Sequence, residues 1–415
     1  MDNKKASLGL RKINYVTTQS ILLHYLCAMQ EKIIISGMGS ISALGSDANE
    51  IWDHYQSEST RITNCCFNNT DTPVGKLHPQ EEALIKKLRQ ENAHYKRLDK
   101  TVLLSILAAR KATDQASWKK EKYVSVNLGS SRGATQLFEK YHKNFLSSNN
   151  HRTTPRVSPT TTLGNLSSWV AYDLGLKGTS FSHSITCSTA LHSVLNAIAW
   201  IHSDMANKFI IGGSEAPLSD FTISQIRALK IYSNKKGNYP SLPLELNKKE
   251  STLILGEGAA IFCLEKDTGQ NRIAKIEGIG YYTELIEHNV SISTEAECLQ
   301  KSMKMALKDA GISKVDSIVM HAPGTIQGDE NEYKAVKKIF GDKLPHLIST
   351  KYATGHSFGA SGALSMELAI LMLKHQKTIK FPYKSLPYGT PKELNTIMIN
   401  ATGFGGNAVS IILSR

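Results

Sequence analysis

The stretch FSHSITCSTALHSVLNAIAWI (Phe181–Ile201) turns from polar to apolar at a single cysteine. Ser, Thr and His surround Cys187. Beyond it, Ala190, Leu191, Val194, Leu195, Ile198 and Ala199 recur at helical spacing. This predicts a strand or tight turn entering an amphipathic helix, with Cys187 at the junction. Two readings of that cysteine stand side by side. A lone Cys is usually a small buried apolar side chain. At a helix N-terminus, however, unpaired N–H groups and a partial positive charge favour the thiolate. A reactive thiol needs a partner, and the rest of the chain supplies candidates.

Outward from that stretch, strand-like runs alternate with helical ones. KIIISGMG (32–39), YVSVNLGSS (123–131), KFIIGGSE (208–215), GAAIFCLE (258–265), DSIVMHAPG (316–324) and AVSIILS (408–414) read as strands. Most are continuous apolar runs, so burial on both faces is expected. KTVLLSILAARKATDQA (100–116) and ALSMELAILMLKHQ (363–376) read as helices. The pattern is α/β, with sheet covered by helices. Several strands run into Gly-rich turns, where α/β folds place their sites. The charged segment EKDTGQNR (265–272) is the best internal boundary.

The 415 residues suffice for a large core, and 41% hydrophobic content is that of a globular chain. No apolar run reaches the roughly 18 residues that span a membrane. The six cysteines, Cys27, Cys65, Cys66, Cys187, Cys263 and Cys298, show neither CxxC pairs nor metal-ligand spacing with His. A reduced cytoplasmic protein without metal is expected. The net charge is +13, of which residues 1–28 hold +3. No Lys/Arg block with interleaved aromatics argues for nucleic acid. The charge has two readings, a solvated surface or attraction of an acidic partner. The first 28 residues read as a loose extension: SILLHYLCA has the short apolar run of a signal peptide but a poor cleavage site.

Three further stretches place polar chemistry at the ends of apolar elements. VMHAPGTIQGDENE (319–332) delivers His321 into a Gly/Pro turn, with Asp329 and Glu332 beyond. STKYATGHSFGASGA (349–363) holds Lys351 and His356 in a Gly/Ser-rich loop before a helix. NATGFGGNAVSIIL (400–413) is a Gly-rich turn entering the last strand. A lone His at a strand end is more often structural, but a Cys and two His in three such settings argue together for chemistry.

These stretches resemble, in order, the motifs of the elongating β-ketoacyl-acyl-carrier-protein synthases of the thiolase superfamily. TCSTALHS resembles the nucleophile motif TACS(S/T), HAPGTIQGDENE the motif HGT(G/S)TPxGDxxE, STKYATGHSFGASGA the motif STKxxxGHxxGAAG, and NATGFGGNA the motif NSFGFGGTN. IIGGSEA (210–216), GEGAAIFCLE (256–265), ISGMGSISALG (35–45) and YDLGLKG (172–178) match further positions, from about residue 32 to the C-terminus. The resemblance implies a thiolase-like layered αβαβα fold of two similar halves, residues 29–270 with the nucleophile and 271–415 with two catalytic histidines. It implies a decarboxylative Claisen condensation of an acyl thioester with malonyl carrier protein. Cys187, its pKa lowered by the helix, would be acylated. His321 and His356 would stabilise the enolate. Lys351 and Glu332 would tune the histidines, and Thr325 would bind substrate. Backbone N–H groups of Cys187 and Phe404 would form an oxyanion hole, with Phe404 as the gate. No cofactor is implied. The implied partners are an acyl carrier protein bearing phosphopantetheine and a second subunit, identical or homologous.

The sequence also departs from the motifs. Ala322 and Pro323 replace Gly and Thr, LPLELNKKEST (242–252) replaces the usual RPFDxxRDG, and the loop between GIGYY and CLQKSM is short. A specialised fatty-acid, polyketide or polyene branch is expected. The rival reading is a non-catalytic chain-length-factor-like subunit, which would typically lack the Cys. A thiolase would need a second Cys near the C-terminus, and GFGG has none.

Overall fold

Ten of the chain's strands join one sheet in a computed structural model that describes residues 32–148, 151–163, 165–285, 293–383 and 391–415. The leader expected at residues 1–28, with Cys27, lies outside the described residues, as does part of the loop after GIGYY. The strands are β1 (Ile33–Ser42), β2 (Ser125–Gly129), β3 (Ser180–His183), β4 (Lys208–Glu215), β5 (Gly258–Lys266), β6 (Ala274–Thr283), β7 (Ser317–Val319), β8 (His346–Ile348), β9 (Thr396–Gly403) and β10 (Asn407–Ser414). Their spatial order is β3-β2-β4-β5-β1-β6-β10-β9-β7-β8. Adding five to each strand of the first half gives the second half in mirrored position. The pairings repeat as well. β2 is parallel to β3 and β4, and β5 is antiparallel to β4 and β1. Likewise β7 is parallel to β8 and β9, and β10 is antiparallel to β9 and β6. The halves meet in three residue pairs of β1 and β6, Ile33↔Ile276, Ile34↔Lys275 and Ile35↔Ala274.

Six helices repeat in the same way: α1 (Lys100–Gln115), α2 (Asn165–Leu174), α3 (Thr189–His202), α4 (Glu297–Asp309), α5 (Ile326–Phe340) and α6 (Ser361–His375). α1 covers β1, β4 and β5, while α4 covers β6, β9 and β10. α3 and α6 pack on each other, and each touches strands of both halves. They form the middle layer, so the order is helix, sheet, helix, sheet, helix. Burial agrees, because every residue of α6 from Ser361 to Leu373 is buried. A helix that is apolar all round belongs inside. Each of its leucines contributes roughly 1.5–3 kcal/mol by leaving water, an upper bound against an extended chain.

Glycine sets how closely the outer helices approach. A Cβ at Gly37 or Gly39 of β1 would stand 2.1 or 2.2 Å from the carbonyls of Ala112 and Ala108 in α1. A Cβ at Gly278 or Gly280 of β6 would stand 2.3 or 1.9 Å from those of Ala306 and Ser302 in α4. GMG and GIG are therefore the same device on the first strand of each half. The expected strand over 316–324 contracts to Ser317–Val319, because Met320 onward turns toward the site. Among the described residues, no helix is long and apolar enough to cross a membrane.

Candidate active site

Cys187 lies between β3 and α3, as the periodicity predicts. Thr186 takes a left-handed backbone (φ +46°), which turns the chain sharply before the helix. Three bonds fix that turn. The Ile185 amide donates to Thr189 Oγ1 at 2.8 Å, Thr189 Oγ1 donates to the Thr186 carbonyl at 2.6 Å, and Thr186 Oγ1 donates to the Phe404 carbonyl at 3.1 Å. The last bond brings the β9–β10 turn to the nucleophile. A Cβ at Gly403 would stand 1.9 Å from Thr186 Oγ1 and 2.9 Å from the Cys187 amide nitrogen, so only glycine fits there.

The two histidines arrive from the second half. His356 is held by the first half's strand entry: its amide donates to the Ile254 carbonyl at 2.6 Å, and its carbonyl accepts from Gly256 at 3.0 Å. His321 follows β7, where Glu332 of α5 accepts from the His321 amide at 2.9 Å and the Ala322 amide at 2.7 Å. Asn400 Nδ2 of β9 donates to the same carboxylate at 3.3 Å. The outcome is a compact trio. Cys187 Sγ and His356 Nε2 are 3.3 Å apart, and the Cys187, His321 and His356 ligating atoms all lie within 4.8 Å of one another. The imidazoles meet edge to face at 85°, with centroids 5.2 Å apart. All three side chains are buried. Lys351 is buried beside them, and its Nζ has no hydrogen-bond partner.

Other expected residues stand further out. Phe404 is 39% exposed on the Gly-rich turn, with its carbonyl tied to Thr186. Thr325 caps α5, where its hydroxyl accepts from the Gly328 amide at 3.1 Å. Capping leaves the hydroxyl proton available for a further bond.

With this geometry in place, comparison with known proteins gives a single answer. Residues 30–269 match the profile of the β-ketoacyl synthase N-terminal domain, and residues 273–381 that of its C-terminal domain. The chain belongs to the β-ketoacyl synthase family. These are condensing acyltransferases. A relative from Staphylococcus aureus (strain COL), 3-oxoacyl-[acyl-carrier-protein] synthase 2, is 27% identical over 94% of this chain and 99% of its own length. The enzyme of the same name from Coxiella burnetii is also 27% identical, over 93% of this chain and 99% of its own length. Among solved structures, a β-ketoacyl synthase from Burkholderia phymatum STM815 superposes with TM-score 0.79 at 21% identity, covering 93% of this chain and 100% of that one. A ketosynthase in complex with its chain length factor, from Xenorhabdus doucetiae, gives 0.76 at 21%, covering 92% and 98%.

In this family member the site's charges differ from the sequence expectation at one point. The helix N-terminus was expected to lower the Cys187 pKa. Instead, burial and then the nearby Glu215 carboxyl push the thiol up to about 12. The resting site therefore holds a thiol. Burial, then Lys351, lowers His356 to about 3, and burial with Lys351 and His356 takes His321 well below its ordinary value. Both imidazoles are neutral at pH 7. Burial brings Lys351 down to about 8 against the pull of Glu332, and raises Glu332 to about 7.

Sequence reasoning missed Glu215, the last residue of β4. It is buried, accepts from Ser130 Oγ and from the amides of Ser131 (3.1 Å), Arg132 (3.1 Å) and Gly359 (3.0 Å), and ties the two Gly/Ser loops around the trio. Its signal was present in IIGGSEA, a polar residue ending a buried strand. Asp329, which the sequence places beyond His321, has a structural role. It accepts from the amides of Gly324 and Leu244, both at 2.9 Å, and from Lys248 Nζ at 2.6 Å. The two segments that depart from the family motifs are thus bonded to each other.

Proposed function

We propose that the chain catalyses decarboxylative Claisen condensation of an acyl thioester with malonyl carrier protein, giving a 3-oxoacyl carrier protein. The observation that carries this is the 3.3 Å contact of Cys187 Sγ with His356 Nε2, with the His321 ring in the same buried trio. In the first half-reaction Sγ attacks the acyl thioester carbonyl. Its proton is relayed by His356 Nε2, 3.3 Å away, to the leaving carrier thiolate in concert with attack, so no free imidazolium has to persist on a ring lowered to about 3. The oxyanion faces the N–H groups of Cys187 and Phe404. In the second half-reaction the malonyl group loses carbon dioxide, and the electron pair moves onto the thioester oxygen as an enolate. Neutral imidazoles are hydrogen-bond donors rather than acids, which suits His321 and His356 to that oxygen. The enolate carbon then attacks the acyl-Cys187 carbonyl and expels the thiolate, which takes a proton from solvent to restore the resting thiol. Lys351 supplies positive potential beside the site, Glu332 holds the His321 backbone in place, Phe404 gates the acyl tunnel, and Thr325 offers its hydroxyl proton to the pantetheine arm. The reaction needs no organic cofactor, because the thioesters carry the chemistry.

The carrier would bring phosphopantetheine, and the two halves would be residues 29–270 and 271–415. A second subunit fits the surface. Phe138, Leu146 and Phe221 are each about 60% exposed, and Ser219 Oγ joins Glu139 at 2.5 Å, which brings the first and last of these segments together. The partner is a second copy or a homologous chain-length-factor subunit. Asp329 links Ala322–Pro323–Gly324 to the altered 242–252 segment, which supports a specialised fatty-acid, polyketide or polyene branch. Incubation with acyl carrier protein tests the first half-reaction. An acyl adduct on the peptide carrying Cys187 is expected, and labelling confined to Cys263 or Cys298 would overturn it. A non-catalytic chain-length-factor role would leave Cys187 unlabelled.

A further inference from the structure

We propose that the Cys187–His321–His356 trio also binds a borderline-soft divalent transition metal such as Zn²⁺, and that this metal competes with acylation. One thiol and two imidazoles are the ligand set of an open catalytic zinc site, with the fourth position left for water. Zn–S and Zn–N bonds of about 2.3 and 2.0 Å at tetrahedral angles put ligand atoms about 3.3–3.6 Å apart. Cys187 Sγ and His356 Nε2 already stand at 3.3 Å, and His321 needs only a small ring movement to close a set lying within 4.8 Å. Both imidazole Nδ1 atoms are buried without a hydrogen-bond partner, so no hydrogen bond at Nδ1 has to break for the rings to turn. Binding replaces the S–H bond by an S–Zn bond, and the proton leaves to solvent.

Charges of both signs surround the trio. The Lys351 and Arg132 cations oppose a metal ion, while the buried Glu215 and Glu332 carboxyl groups act in the opposite sense. A metal ion would reach the thiol by the same path as the thioester substrates of the proposed reaction. Acyl-Cys187 has no thiolate to offer, so acylation and metal binding exclude each other.

Co²⁺ is the probe, since it takes zinc sites and reports its ligands. Added to the full-length protein, it should give intense tetrahedral ligand-field bands in the visible and a thiolate-to-cobalt charge-transfer band in the near ultraviolet. The charge-transfer band should vanish in Cys187→Ala. Loss of an outer-shell partner typically weakens a metal site about 10–100-fold, so His321→Ala and His356→Ala should each weaken binding by at least about tenfold. Prior acylation should abolish the spectrum, and Zn²⁺ should slow acylation in proportion to occupancy. Weak octahedral spectra only, or a charge-transfer band surviving in Cys187→Ala, would overturn the proposal. It rests on reading the three residues as one site but not on the reaction. A cobalt spectrum in a protein that makes no 3-oxoacyl product would sink the condensation alone, and the converse would sink the metal site alone.

Discussion

Replacing Glu332 by alanine separates positioning from chemistry. Its carboxylate accepts from the His321 amide at 2.9 Å, the Ala322 amide at 2.7 Å and Asn400 Nδ2 at 3.3 Å, and it is buried. Alanine leaves the two buried backbone N–H groups without acceptors, at about 1–3 kcal/mol each, so roughly 2–6 kcal/mol of stability should be lost, while Asn400 Nδ2 keeps Met303 Sδ. Unfolding entropy grows with length, so about 1 kcal/mol moves Tm by only about 1 °C in a chain this long. Denaturant midpoints are the better readout. Freed from its anchor, the His321 backbone should drift, and a misplacement of about 1 Å costs a reaction about 100-fold. The loss should fall on malonyl decarboxylation, measured as carbon dioxide release. Acylation of Cys187 should change little, because His356 is anchored separately through Ile254 and Gly256. Glu332→Gln, which keeps one acceptor, should lie between the two. Unchanged decarboxylation in Glu332→Ala, or equal loss of both half-reactions, would refute this reasoning.

The resting thiol gives a second test: alkylation of Cys187 by iodoacetamide should rise about tenfold per pH unit from pH 6 to 9, since its pKa is pushed up to about 12, and a plateau below pH 8 would mean a thiolate. Glu367, buried in α6 with one oxygen bonded to Ser40 and the other unpartnered, is raised by burial to about 7. The folded state therefore holds this proton more tightly than the unfolded state, and stability falls as pH rises from about 4.5 to 7. Glu367→Gln should remove that loss, gaining about 3 kcal/mol over wild type at pH 8 relative to pH 5 in urea melts, and an equal difference at both pH values would contradict it. If the +13 charge steers an acidic carrier, KM for carrier-bound substrate should rise with salt, over a screening length of about 10 Å at 0.1 M, while a small thioester mimic is unaffected. An equal response of both substrates would remove the steering role.

The long continuous runs were legible because burial on both faces leaves a strong apolar signal. β4 lies at the expected residues 208–215, and α1 and α6 lie within two residues of theirs. β3 and β8 have only four and three residues, too few for a period, β6 and β9 were not read as strands despite their ten and eight residues, and the hairpin Thr63–Phe67 with Thr70–Val74 has exposed residues at half of its positions. The internal repeat escaped notice because it lies in strand order and in the GMG and GIG pairs rather than in extended similarity. At the site, motif order brought Cys187, His321 and His356 to attention, and the fold brings them together. The thiol's state was not legible. It depends on burial and on Glu215, which comes from a different strand and is remote from Cys187 in sequence.

A single-turnover chase tests the central claim most directly. Protein acylated from labelled acyl carrier protein, freed of donor and then mixed with malonyl carrier protein, should lose the label from Cys187. The same label should appear in 3-oxoacyl carrier protein with release of one equivalent of carbon dioxide. Label that stays on Cys187, or 3-oxoacyl product formed by Cys187→Ala, would contradict the account.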